Sequence, residues 1–524
     1  IYLIAIKEIV SEQKPAKLRL VSSSRSLSEA LRGLCMNLDI AYEWEKLSNK
    51  RRPELNLRSI FRVLPHPAQA LIGLVRHIWC RWPLRKAEKA GWFRSEKSLF
   101  LCSYFFHINN DLAKNGSFHS HYWEGFHDVM RKMGVSGNWL QHYFPHDAVP
   151  SPQRALNLVQ RFNQKRLEQG FHTFLDSYLS WRVIFRVLKR WFRLVLISRD
   201  LSEIKHAFKL QGSNMSLWPL MQQDWYNSMR GRAAIDNLLW IELFNTAVSD
   251  LPHQRVGFYL CENQSWERAL THAWRKHGHG QLIAVPHSTI RFWDLRFFAD
   301  PRTINSSNLY PMPQADLTAL SGKVAIDNCL KAGYPKKAIV ECEALRYLYL
   351  DKLRAGSREE KTTEEIKVLI LGDYMPSCTV KMLQLLEGAL PHMTVPATYT
   401  IKPHPSYQVN PEDYPSLNLK VVTDHLEKIL YNFDVAYSAN KTSASVDSYI
   451  AGLQTVVMLD NSELNFSPLR GQPEVLFVRG PEKLAEALQT ARQNTIKRPE
   501  SSDFFFLDPE LQRWKKLLSP FNPT

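Results

Sequence analysis

With 524 residues the chain exceeds a single small binding module and is expected to hold two to four domains. Its 44% hydrophobic, 11% aromatic and 23% charged residues match soluble globular proteins and exclude a disordered or collagen-like chain. Seven cysteines, an odd number with no C-x-x-C pair, exclude a disulfide framework or zinc ribbon and fit a reducing cytoplasm, while a formal net charge of +16 points to an anionic partner.

In chain order, Ile1–Val10 contains Lys7 and Glu8, has no basic leader, and is read as a buried strand. A second strand is expected at Leu18–Ser22, and a basic aromatic stretch follows at Leu71–Phe93. A strand at Leu99–Tyr104 precedes an irregular region, Phe105–Phe144. Tyr178–Ile197 has the spacing of an amphipathic helix: Trp181, Ile184, Val187, Leu188, Trp191 and Val195 lie on one side, with Arg182, Arg186, Lys189, Arg190 and Arg193 opposite. It fits either a core helix with snorkelling basic edges or an interfacial helix on the inner leaflet of a membrane. No stretch is long enough for a membrane-spanning helix.

Strand Val256–Cys261, helix Trp266–His277 and strand Leu282–Pro286 then form a βαβ unit, and the charged segment Asp351–Glu365 reads as a linker. Beyond it, strands at Val368–Leu371, Tyr399–Ile401, Leu419–Val422, Val435–Tyr437, Thr455–Leu459 and Val475–Val478 alternate with helices at Thr379–Leu390, His425–Tyr431, Ala444–Ala451 and Glu482–Arg492. This is the pattern of a doubly wound α/β sheet. A last helix, Pro509–Leu518, is expected to cross back onto the first domain. The expected domains are therefore 1–350, a linker at 351–365, 366–505, and a returning helix within 506–524.

The charge is uneven. Residues 365–524 carry a net −3 and the preceding residues +19, and 14 of the 15 tryptophans lie before residue 300. No recognisable nucleic-acid-binding motif accompanies the basic part, so nucleic acid is not the expected partner.

In open α/β sheets ligands bind beyond the carboxyl ends of the strands. In the second domain those positions hold Gly372-Asp373-Tyr374, then Lys402-Pro403-His404-Pro405, then the run from Ser438 to Ser443. No G-x-G-x-x-G or Walker-type P-loop occurs there, which disfavours dinucleotide oxidoreductases and P-loop NTPases. Thr442, Ser443 and Ser445 open a helix after a strand, where hydroxyls and free N–H groups can meet an anion, with Lys402 and His404 adding charge; ordinary N-capping by Thr442 or Ser443 is the alternative, and the two features at adjacent strand ends favour the anion site over it. In the first domain Glu262 occupies the crevice position, suited to a general base or nucleophile. Glu267 falls in the first helical turn, where the dipole alone accounts for it. His287, Arg291 and Asp294 follow the next strand, and Glu343 and Arg346, at i and i+3, are expected to pair on a helix.

The segment Thr400–Pro405, the run Ser438–Gly452 (SANKTSASVDSYIAG) and the last helix together resemble the nucleotide-binding half of a GT-B glycosyltransferase. Tyr259–Leu270 (YLCENQSWERAL), Val285–Ser288 (VPHS), Glu341–Leu350 (ECEALRYLYL) and Ile401–Ser406 (IKPHPS) resemble a bacterial surface-carbohydrate biosynthesis family. That family is similar to the Kdo and pseudaminic acid transferases of capsule and lipopolysaccharide assembly. The resemblance implies a GT-B architecture with two Rossmann-like domains facing a cleft, and transfer of an ulosonic (nonulosonic) acid from a CMP-sugar to an oligosaccharide or lipid-linked acceptor, with retention. It places donor phosphate at His404 and Pro405 beside Lys402 and at Thr442, Ser443 and Ser445, with Asp373 and Ser438 in the same nucleotide site.

Glu262 is then the first candidate for the catalytic carboxylate and Asp294 the second, with His287 beside them. Glu267, Arg291 and Arg346 are expected in the cleft, and acceptor contacts at Asn109, Asn110, His119, Ser120 and Tyr122. Expulsion of CMP can be stabilised by Lys, His and a helix N-terminus, so no metal cofactor is expected. A CDP-polyol phosphate transferase of teichoic-acid type and a non-catalytic glycan-assembly protein are the alternatives. The expected place is the cytoplasm, peripheral on the inner membrane.

Overall fold

A computed structural model of the protein describes residues 2–47, 57–210, 215–304, 311–355, 365–461, 463–472, 474–490 and 501–521. The chain divides into two compact units, one of residues 1–86 with 175–250 and one of residues 87–174 with 251–524.

The first unit is mainly helical. Its Tyr2–Gln13 segment is a helix, which corrects the expected strand at the start of the chain. The reason lies in the spacing: the buried residues Leu3 and Val10 are seven apart, two helical turns, while Tyr2, Ile4 and Ile9 are exposed. A short apolar run cannot by itself distinguish strand from helix. The expected strand at Leu18–Ser22 is present as Lys17–Ser22 and pairs in parallel with Ala41–Lys46. Helices His66–Arg81 and Trp181–Asp200 both pack on helix Arg232–Asp250. Among the described residues no helix is long and apolar enough to cross a membrane.

The second unit contains two parallel sheets. The first, in spatial order, runs Phe171–Phe174, Ser136–His142, Ser98–Tyr104, Val256–Cys261, Gln281–Pro286, Leu317–Leu320, Ile339–Glu341. The second runs Lys420–Val421, Ala397–Lys402, Ile366–Leu371, Val435–Ala439, Gln454–Met458, Leu476–Val478. Each chain path starts in the middle, moves to one edge, then returns beside its first strand and proceeds to the other edge. That is the Rossmann order, and it leaves a crevice where the direction reverses. The central strands are buried on both faces, which is why they read as near-continuous apolar runs such as VLIL in Val368–Leu371.

The expected α/β, GT-B-type architecture is therefore present. The returning helix forms as Gln512–Leu517 and sets Trp514, fully buried, among Trp123, Phe126 and Phe258 of the first sheet's layer. Of the stretch read as a linker, residues 351–355 end helix Tyr349–Ala355, and residues 356–364 lie outside the described residues.

Candidate active site

In the first sheet the direction reverses between Ser98–Tyr104 and Val256–Cys261. The turn after Cys261 is shaped by Asn263, at a positive φ of 55°, and by Glu267. Glu267 Oε1 accepts from the backbone N–H of Glu262 at 2.8 Å and of Gln264 at 2.9 Å, and burial pushes its carboxyl up. Expected in the cleft, Glu267 is instead the buried cap that holds the Glu262 turn.

Glu262 projects from that turn with its side chain 31% exposed, and its Oε1 lies 3.2 Å from Nε2 of the buried His287. The hydrogen bond from His287 holds the Glu262 carboxyl below its ordinary range. The His287 ring packs edge-on against Tyr122 at 4.3 Å. His107, a residue the sequence reading missed, joins the group; burial, then the positive fields of Arg346 and His287, lower it to about 4. Asp294 caps a short turn and is gripped by Arg296 through contacts of 2.7 and 2.9 Å, so its carboxylate is engaged.

The second sheet reverses between Ile366–Leu371 and Val435–Ala439. Here a Cβ on Gly372 would meet the His404 nitrogen and the Pro403 Cα at 3.1 Å, so the absent side chain lets two strand ends close together. Asp373 is fully buried, with Oδ1 accepting from Met375 N–H at 2.9 Å and Oδ2 without a partner. Burial raises its carboxyl, against the fields of Lys441, His404 and Arg291. The buried Ser438 hydroxyl, in register with Leu371, also has no partner. His404, just before Pro405, pairs through Nδ1 with the Ser406 hydroxyl at 2.7 Å.

Three expected phosphate ligands are placed differently. The Lys402 ammonium reaches the Thr423 carbonyl at 3.3 Å, and it is Lys441, paired with Glu463 at 2.7 Å, whose field acts on Asp373. Ser445 is buried and donates to the Thr442 carbonyl at 2.8 Å, while the Thr442 hydroxyl accepts from Ala444 N–H at 3.4 Å. These two bond to the backbone of their own turn, and Ser443 stands at the N-cap of helix Ala444–Ile450 with no side-chain capping bond. Ser443 differs from them, because its hydroxyl contacts that of Thr289 at 3.1 Å, joining the ends of the two sheets.

The loop after His287 faces the second sheet at other points. Arg291 is half-buried, its Nε has no partner, and the fields of Asp294 and, less strongly, of Tyr374 and Asp373 act on it. The Arg470 guanidinium lies 4.5 Å over the Phe292 ring. Arg346 does not form the expected pair with Glu343. Glu343 accepts from the backbone N–H groups of Arg513 at 2.9 Å and Trp514 at 3.2 Å, anchoring the returning helix. Arg346 lies 6.0 Å from the Tyr122 ring and 5.7 Å from that of Tyr347, and its field acts on Asp447.

Of the acceptor candidates, Asn109 caps helix Asn110–Lys114, and Ser120 is buried. Only Tyr122 of this group packs on His287. His119 and His121 both bond Glu124, at 3.2 and 2.8 Å, and these three side chains have donor atoms within 4.8 Å of one another, so they could take a metal ion. Burial opposes it, yet the two histidines hold Glu124 at about 2, so mutual pairing already accounts for the cluster.

No protein-family model matches the chain, and no curated protein sequence matches it. Solved structures similar to it include MurG of Acinetobacter baumannii, at 11% identity and a TM-score of 0.37 over 76% of this chain and 95% of that one. UDP-GlcNAc 2-epimerase of Neisseria meningitidis has 9% identity and a TM-score of 0.41 over 81% and 99%. HepE of Anabaena with UDP-glucose has 12% identity and a TM-score of 0.39 over 80% and 99%. The two parallel sheets, each with the Rossmann strand order, give this chain its fold.

Proposed function

We propose that this chain is a GT-B glycosyltransferase that moves an ulosonic acid, of the Kdo or pseudaminic acid class, from its CMP-activated form to a hydroxyl of an oligosaccharide or lipid-linked acceptor. The observation that carries this reading is the meeting of two Rossmann crevices, joined at Thr289–Ser443, around buried polar atoms without partners: Asp373 Oδ2, Ser438 Oγ and Arg291 Nε. Orphaned polar groups at a switch point are what a bound nucleotide sugar would satisfy. The CMP-ulosonic donor is favoured by the motif resemblance. It is also favoured by chemistry, since such a donor carries a phosphate and a carboxylate, and Arg291 and Arg346 offer two guanidinium groups there.

Glu262 is assigned as the nucleophile. A carboxylate held ionised by His287 is a weak proton acceptor but a competent attacking group. Its oxygen bonds to the anomeric carbon as the bond to the CMP phosphate breaks, and CMP leaves with the electron pair. The acceptor hydroxyl then displaces Glu262, its proton passing to solvent, with net retention.

Incubation with CMP-Kdo or CMP-pseudaminic acid and mass spectrometry of the Glu262 peptide tests this. The expected result is one added sugar residue in the native protein. Glu262→Gln should lose it, lower transfer by at least about a hundredfold, and keep the thermal stabilisation that CMP confers. Stabilisation by UDP or GDP in place of CMP would overturn the donor, and turnover of CDP-glycerol alone would favour a polyol-phosphate transferase. Stabilisation by CMP with no turnover would favour a glycan-assembly protein.

A further inference from the structure

The two basic aromatic stretches take no part in the proposed transfer, and both helices that they form belong to the unit of residues 1–86 and 175–250. That unit holds 26 Lys and Arg against 14 Asp and Glu, so it carries 12 of the chain's 16 net positive charges. Its helix Trp181–Asp200 turns Val183, Ile184, Val187 and Trp191 inward. The helix has a second apolar stripe. Trp181, Phe185, Phe192 and Leu196 are 43–68% exposed, and at 3.6 residues per turn they fall in one row. Arg182, Lys189 and Arg193, all exposed, run along one flank of that row.

This arrangement differs from the two-sided helix expected from the sequence, where Trp181 was grouped with the core residues. Helix His66–Arg81 repeats it, with Ile72, Val75 and Trp79 exposed beside Arg76. The two helices adjoin where the Trp82 and Trp181 rings stand 5.0 Å apart. A cavity of about 440 Å³ beside the start of the longer helix is lined by Ser180, Arg182, Val183, Asn245, Thr246 and Ser249, and by Arg186, which is bound to Glu242 and Thr246, so Arg182 is the cation in it that suits a phosphate.

We propose that this unit docks on an anionic phospholipid bilayer, with the aromatic rows entering the headgroup layer and Arg182, at the mouth of the cavity, taking a lipid phosphate. The partner follows from the combination of features. Cations beside an apolar row match a surface whose anionic headgroups overlie hydrocarbon, whereas a nucleic acid would answer the charge and leave the aliphatic Ile72, Val75 and Leu196 in water.

Co-sedimentation of the full chain with phosphatidylcholine vesicles, with and without phosphatidylglycerol, tests the proposal. Binding should need phosphatidylglycerol and weaken with salt. Each basic group at such a surface accounts for about fivefold in partitioning, so Arg182→Glu should weaken binding by at least that factor. The Phe185→Ser, Phe192→Ser double variant, altered only at exposed positions, should lose about tenfold or more with unchanged thermal stability. Equal binding to neutral vesicles, or binding to neither, overturns the proposal. So does retention of nucleic acid without vesicle binding, full competition by inorganic phosphate, or an effect of the double variant on oligomeric state alone.

Discussion

Replacing Asp447 by Asn should stabilise the protein at neutral and alkaline pH. Asp447 lies in helix Ala444–Ile450 with its carboxyl buried, Oδ2 accepting from the Tyr349 hydroxyl at 3.0 Å and Oδ1 without a partner. Burial lifts its pKa from 3.8 to about 6, although Tyr349 and Arg346 favour the charged form. The folded protein thus keeps a proton that the unfolded chain releases. Below pH 4 both states are protonated and the group has no effect. As pH rises from about 4 to about 6 the unfolded state loses its proton first, and stability falls through that window. Above pH 6 the full penalty is present, about two pKa units at 1.36 kcal/mol each, or about 3 kcal/mol.

Asn keeps an acceptor for the Tyr349 hydroxyl and has no charge to desolvate. Urea denaturation of the native chain and Asp447→Asn, followed from pH 4 to pH 8, should therefore give a stability difference near zero at the acid end. The difference should grow between pH 4 and 6 and level off with the variant more stable. A difference independent of pH, or a less stable variant at pH 8, would refute the assignment of Asp447 as a carboxyl whose ionisation burial opposes.

Two further outcomes follow from the same geometry. His287→Asn removes the hydrogen bond that holds Glu262 ionised, so the acid limb of the pH–kcat profile should move to higher pH, as measured by CMP release across a pH series. Trp514→Ala empties a fully buried site among Trp123, Phe126 and Phe258, and should cost about 3–5 kcal/mol in chemical denaturation.

Much of the second sheet was legible in the sequence because its central strands are buried on both faces. The expected strand Val435–Tyr437 appears as Val435–Ala439, and Thr455–Leu459 as Gln454–Met458. The proximity of Glu262 and His287 was legible for a related reason: adjacent parallel strands end at one level, so residues that follow them meet. The direction of a side chain beyond a strand end is not set by spacing. Lys402 and His404 are two residues apart, yet one reaches the Thr423 carbonyl and the other the Ser406 hydroxyl. The role of Glu267 was not legible in the spacing, because its capping box has Gln264 at the N-cap where the sequence signature calls for Ser, Thr, Asp or Asn.

The first unit shows what a pass along the chain cannot see. Its helices come from two segments separated by 88 residues, and the return occurs within the crossover from Phe174 to Val256 of the first sheet. Hydrophobic periodicity is local and reports which face of a helix is apolar, so it does not reveal that His66–Arg81 and Trp181–Asp200 share Arg232–Asp250 as a packing partner. Along the sequence the positive excess is spread over the two-thirds of the chain before residue 365; the fold gathers most of it into this unit. Once helix Trp181–Asp200 has Val183, Ile184, Val187 and Trp191 buried, Phe185, Phe192 and Leu196 of its remaining row stand exposed beside Arg182 and Arg193. Such a row costs solubility unless a surface of matching chemistry covers it, which ties the charge of this unit to its exposed aromatic residues in one physical account.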